Sequence, residues 1–231
     1  MYNRIVAAAA VLALAACAAP HPRRAIPPSA IPGITLQGLP APGDYKIDSQ
    51  NSELRLLVYR AGPLARLGHN HVMVNRAVSG RAQIGDAISS TSFSLSMPAS
   101  AFAVDDAQSR SEEGDDFPGE IPEDAKEGTR HNMLSAAVLN AAQFPDITVT
   151  SAALSGSLEA AIADLEISVA GHRARIPAPL TLRGDTQHLV ATGSMELKQS
   201  ALGLAPYSLL GGALQVEDAM QLKFKITVLT N

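Results

Sequence analysis

The chain has 231 residues, 46% of them hydrophobic, with 18 Lys and Arg against 22 Asp and Glu for a formal net charge of −4. Its one cysteine excludes an internal disulfide, so a packed apolar interior has to supply the stability. An acidic balance without a basic patch interleaved with aromatics excludes a nucleic-acid partner.

Residues 1–4 carry one positive charge, Arg4, and residues 5–16 form an uncharged run rich in Ala, Val and Leu. That run is shorter than the ~20 apolar residues a transmembrane helix needs. A charged start, a short apolar stretch and small residues before a cut site make a secretory signal peptide. Leu14, Ala15, Ala16 and Cys17 resemble the bacterial lipobox, which implies diacylglyceryl transfer to the Cys17 thiol and cleavage just before it. The expected divisions are therefore a signal peptide over 1–16, a lipidated Cys17 heading a Pro- and Ala-rich stalk over 17–41, and one domain over 42–231. The expected location is a membrane face in the periplasm, on the outer membrane where one exists.

Within the domain, apolar residues alternate with polar ones at a period of two, the mark of strands with one buried face. Leu54, Leu56 and Val58 point one way while Arg55, Leu57 and Tyr59 point the other. His69 and His71, two apart, project from one face if this stretch is extended. They hold a metal only if a third ligand, His131 or an acid from residues 105–129, joins them, and are otherwise an exposed or backbone-bonded pair. The alternation returns at Phe93, Leu95 and Met97 between serines.

Residues 105–129 then hold ten of the 22 acidic residues against Arg110 and Lys126. A polar segment of this kind, with Gly and Pro, reads as a solvated, mobile loop that the fold does without, since its acids lack the regular spacing of a calcium loop. Met133, Leu134, Ala137, Val138 and Ala141 share one helical face and predict a short helix over 131–142, ended by Phe144-Pro145. Strands resume with Ile147 and Val149, with Leu165, Ile167 and Val169, with Leu180 and Leu182, and with Met195 and Leu197. The last strand carries Leu222, Phe224, Ile226 and Val228 opposite Lys223, Lys225 and Thr227. Many one-faced strands joined by turns make an all-β domain, either a closed antiparallel barrel or a sandwich. Nothing in the chain forms a Gly-x-Ser-x-Gly elbow or a zinc-protease helix, and the expectation is a non-catalytic protein.

Four stretches resemble the YceI-like proteins. Tyr45-Lys46-Ile47-Asp48 with Ser52 is similar to their opening strand, and Val78-Ser79-Gly80 to their second. His131-Asn132-Met133-Leu134 with Phe144-Pro145-Asp146-Ile147 is similar to their helix-to-strand segment. Lys198-Gln199-Ser200 with Leu202-Gly203-Leu204 is similar to their penultimate strand and the turn after it. The stretch 66–71 and the acidic segment depart from that pattern. The resemblance implies a closed, lipocalin-like antiparallel barrel of about eight strands with one short helix. It also implies a long amphiphile, such as a polyisoprenoid or an isoprenoid quinone, in an apolar lumen. The lumen candidates are then Leu54, Leu56, Val58, Phe93, Leu95, Met97, Ile147, Val149, Leu165, Ile167, Val169, Leu180, Leu222, Phe224 and Ile226. The alternative is a metal- or protein-binding module that uses a solid barrel as a platform.

Overall fold

The computed structural model describes residues 38–185 and 187–230. The expected signal peptide, Cys17 and most of the stretch read as a stalk lie outside the described residues. Residues 38–41 already belong to the domain: Pro40 is buried, Leu39 packs on the core, and the Ala41 carbonyl accepts a 2.7 Å hydrogen bond from the Tyr45 hydroxyl.

In chain order the elements are β1 (Gly43–Ile47), β2 (Glu53–Val58), β3 (Arg60–Ala61), β4 (His71–Asn75), β5 (Ser79–Ile84), β6 (Ser92–Pro98) and β7 (Phe102–Val104). Two helices follow, α1 (Ala107–Ser111) and α2 (Glu123–Leu134). The chain then returns to strands with β8 (Asp146–Ser151), β9 (Leu154–Gly156), β10 (Ala161–Val169), β11 (His172–Gly184), β12 (His188–Lys198), β13 (Ser208–Leu209), β14 (Leu214–Val216) and β15 (Ala219–Thr230).

All strand pairs are antiparallel, and the ring β1-β5-β6-β8-β10-β11-β12-β15 closes through β15 back onto β1. Closure removes the exposed edges that an open sheet of this size would present. The fold is thus an all-β, eight-stranded antiparallel barrel of lipocalin-like form.

The barrel's two ends differ. Along β15, Val228 to Thr230 pair with β1, whereas Gln221 to Lys225 pair with β2. The wall at that second end continues from β2 to β4 and β7 and has no further strand beyond it. Helix α2 fills the gap, with Arg130 donating from Nη1 to the Phe102 carbonyl at 2.9 Å and from Nη2 to the Ser100 carbonyl at 2.6 Å. The opposite end is sealed by a tight apolar cluster that includes Tyr45, Ile84, Leu154, Leu182, Leu189 and Val228. The described chain begins here, since the Gly38 carbonyl lies against Gly184. One stretch of wall is thinly joined, because β11 pairs with β12 only from Thr181 to Gly184. The ladder stops beside Pro179 and Pro177, which carry no N–H to extend it.

Two expectations are corrected. The helix lies over Glu123–Leu134 and not over 131–142, and residues 135–143 form successive turns. Ser135 is extended at φ −64°, ψ 165°, and Asn140 takes a positive φ of 45°, so the backbone cannot stay helical through the apolar residues that suggested it. The helix instead starts after Pro122 with Glu123 and Asp124 in its first turn, where carboxylates suit the helix dipole.

The acidic segment is not a free loop either. It straps the outer wall over β2, β4 and β15, where Leu57, Val72, Val74 and Phe117 form a separate apolar cluster. Strand β4 is accordingly apolar on both faces. Beside that cluster Arg55, buried on the barrel's outside, bonds Glu53, Glu112 and Glu113, and Lys223 bonds Glu113. Burial alone would lower the Arg55 pKa, but the carboxylates of Glu113, Glu112 and Glu53 outweigh it and raise it.

A candidate ligand lumen

The inward side chains of a closed eight-stranded barrel either fill it or leave room for one ligand. Here they leave room. The lumen is a cavity of about 400 Å³, within the range of small-molecule sites and far above the ~10–15 Å³ that admit one water. Leu54, Leu56 and Val58 line it from β2, Phe93, Leu95 and Met97 from β6, and Ile147 and Val149 from β8. Leu165, Ile167 and Val169 line it from β10, Leu180 from β11, and Leu222, Phe224 and Ile226 from β15. Around the barrel's waist Leu54, Leu56, Phe93, Leu165 and Phe224 are only half-buried although they point inward, because they face empty space. At the sealed end Ile84, Leu182 and Leu189 are buried and form the floor of the lumen, which is blind there.

Alternation alone did not mark several lining residues. Met133, Val138 and Leu139 line the cavity from α2 and the turns after it, and Gln199, Leu202 and Leu204 from the turn after β12. Met133 and Val138 are among the residues that suggested a helix over 131–142. Their apolar character is used for the lumen, from a plug of helix and turns.

Among the lining residues only Arg60, His69 and Leu209 are exposed, which locates the opening between residues 60–71 and residues 204–216. The short sheet β13-β14-β3 joins these two stretches into a lip. Gly62 is required in it, since its φ is +92° and a Cβ there would lie 2.6 Å from the Ala213 carbonyl oxygen. The Arg60 guanidinium donates to the Gly68 carbonyl at 2.6 Å.

Just inside the opening, His71 shares a 2.6 Å hydrogen bond between Nδ1 and Asp105 Oδ2. The other oxygen of Asp105 accepts from the Val72 N–H at 2.9 Å and from Arg110 Nη1 at 2.7 Å. Burial pushes the Asp105 carboxyl up, yet the bonds from His71, Val72 and Arg110 together hold it below its ordinary value. An ionised Asp105 therefore fixes the proton of His71 on Nδ1 and orients the ring. That use of Nδ1 sets His71 apart from His69, whose ring centre lies 6.4 Å away. Among the described residues no three His, Asp or Glu side chains are grouped to hold a metal ion, and His131 sits exposed on α2.

The model of the YceI-like domain family matches residues 45–228. Comparison with curated proteins gave no match. Among solved structures, Burkholderia cenocepacia BcnA is similar with a TM-score of 0.58 and 14% identity over 78% of this chain and 98% of that one. A polyisoprenoid binding domain from Saccharophagus degradans gives 0.54 and 12% over 81% and 98%. A mutant of the Campylobacter jejuni YceI protein gives 0.51 and 11% over 69% and 84%. With a family match that runs through every strand of the closed ring, from Tyr45 to Val228, the chain belongs to the YceI-like family.

Proposed function

We propose that the chain is a non-catalytic carrier that holds the tail of a long isoprenoid-type amphiphile, a polyisoprenoid or an isoprenoid quinone, in the barrel lumen. It is exported and held at a membrane facing the periplasm by a lipid on Cys17. The observation that carries this reading is the blind apolar lumen with one exposed opening. Each buried CH₂ contributes ~0.8 kcal/mol, so a five-carbon unit gains roughly 4 kcal/mol before ordering costs. A few such units offset the ~4 to 15 kcal/mol lost on association. A blind, greasy channel suits a long apolar tail whose polar end stays at the lip, near Arg60, His69 and His71. The similar fold described as a polyisoprenoid binding domain supports the same ligand class. A binding platform needs a solid core, and the half-buried residues at the waist speak against one.

The test is extraction of the purified protein with organic solvent and mass spectrometry of what is released. A long-chain isoprenoid near one per chain is expected. A protein that carries none, and takes up none from added polyprenol or long-chain quinone, overturns the reading.

A further inference from the structure

Soluble folds seldom hold large apolar side chains in water at one place without a partner for them. Leu67, Leu209 and Leu210 are 62%, 44% and 76% exposed, and all three stand on the two stretches that frame the opening. Leu210 is also held at a positive φ of 52°, a conformation unfavourable for a leucine, next to Gly211 and Gly212. The charges there are one-sided. Residues 60–71 carry Arg60 and Arg66 and no acid, and residues 200–216 carry no charged side chain at all, in a chain whose net charge is −4. Of the flanking acids, Glu53 pairs with Arg55 and Arg76, Asp218 bonds Ser200, and Asp105 bonds His71 and Arg110, while Glu217 stands exposed at the edge of the lip.

We propose that this lip is a docking surface for a phospholipid bilayer, with Leu67, Leu209 and Leu210 entering the interface and Arg60 and Arg66 meeting lipid phosphates. The lumen then opens directly onto the membrane from which its ligand is drawn. This rests on the carrier reading for its purpose, but not for its geometry. Leucine tips beside guanidinium groups are the chemistry of a bilayer interface, apolar below and anionic above. The position of the tether agrees. The described chain begins at the sealed end, opposite the lip, as the contact of Gly38 with Gly184 shows. Between Cys17 and Gly38 the chain reaches at most about 70 Å, while β15 spans about 40 Å at ~3.3 Å per residue. A barrel anchored by Cys17 therefore has enough chain to turn its lip down onto the same membrane.

The chain has no tryptophan, so one introduced Trp is an unambiguous reporter. Full-length Leu210→Trp protein is incorporated into phosphatidylcholine vesicles containing phosphatidylglycerol, with and without brominated acyl chains. Ile162→Trp, exposed on β10 away from the lip, is the control, and Leu67→Trp serves should Leu210→Trp misfold. The expected result is a blue-shifted emission quenched by bromine for the lip reporters alone, weakened when Arg66→Glu is added. Unquenched lip reporters, or equal quenching of lip and control, overturn the proposal. Extraction of the same samples separates the two readings. Lipid in the lumen with no lip quenching removes the docking alone, and lip quenching around a lumen that takes up no isoprenoid removes the carrier reading alone.

Discussion

Arg55 and Glu113, 58 residues apart, meet through a 2.8 Å hydrogen bond on the outer wall of the barrel, and Lys223 bonds the other oxygen of the same carboxylate. Both Glu113 and Lys223 have side chains only about 4 to 5% exposed. Two cations from neighbouring strands thus share one anion supplied by the acidic segment, with Glu112 and Glu53 as further partners of Arg55.

Glu113→Ala leaves Arg55 and Lys223 buried with too few acceptors, a change expected to cost ~3 to 5 kcal/mol of folding free energy. Deleting residues 108–126 removes Glu112 and Arg110 as well and uncovers Leu57, Val72 and Val74, so a marked fall in the melting temperature or insolubility is expected. Urea unfolding of both variants checks this, and wild-type stability in the deletion would show that the strap is dispensable.

Acid should loosen the same strap. The Asp105 carboxyl has its folded-state pKa below the ordinary 3.8, so its stabilising contribution is present above that pH and is lost as pH falls through the folded value. Asp106, through its bonds from Ser109, and Glu112, through Arg55 in spite of burial, shift in the same direction. Stability followed from pH 7 downward is expected to hold until about 4.5, the ordinary value for Glu112, then to fall, and to fall further below 3.8. Asp105→Asn, which keeps the shape but leaves Arg110 without its anion, should lose ~3 kcal/mol at neutral pH and show a shallower acid limb.

Size changes in the lumen should have opposite effects at the waist and at the sealed end. Leu56→Trp and Leu165→Trp extend into empty space, so the barrel should stay folded while uptake of a long-chain polyprenol or quinone falls sharply. Leu182→Ala, in the packed end, should cost ~2 to 5 kcal/mol. Melting temperature and ligand uptake on the same three proteins decide it, and unfolding of both Trp variants would mean the waist tolerates no added volume.

Cys17→Ser should give protein that keeps its signal peptide or leaves the membrane fraction. Fractionation and intact-mass measurement follow it, and wild-type protein without acyl chains at its mature end would count against the anchor.

The strands and the inward set were legible because a one-residue register error would invert every face, so alternation is a strong signal wherever one face is apolar. The strap was not legible, because ten acids in one segment look like a solvated loop until the two buried cations that need them are located. A trace was present: Leu57 and Val72 lie on faces that alternation sends to water, which only makes sense if something covers them. The helix was misplaced because Met133 and Val138 do converge on one apolar space, but one from a helix and the other from a turn. The His71 and Asp105 pair joins residues 34 apart through folding alone, and no spacing rule announces it.

The short ladder between β11 and β12 makes the wall a split sleeve. Four cross-strand pairs, Thr181 to Gly184 with Leu189 to Thr192, hold the ring shut on that side. Past them, β11 is laddered only to β10 and β12 only to β15, and Ala174, Ile176 and Met195 pack on the core rather than continuing the ladder. Side-chain contacts yield to a wider guest more readily than backbone ladders do. The girth of the lumen near its opening can therefore follow the thickness of what it holds, while the sealed end keeps a fixed bore.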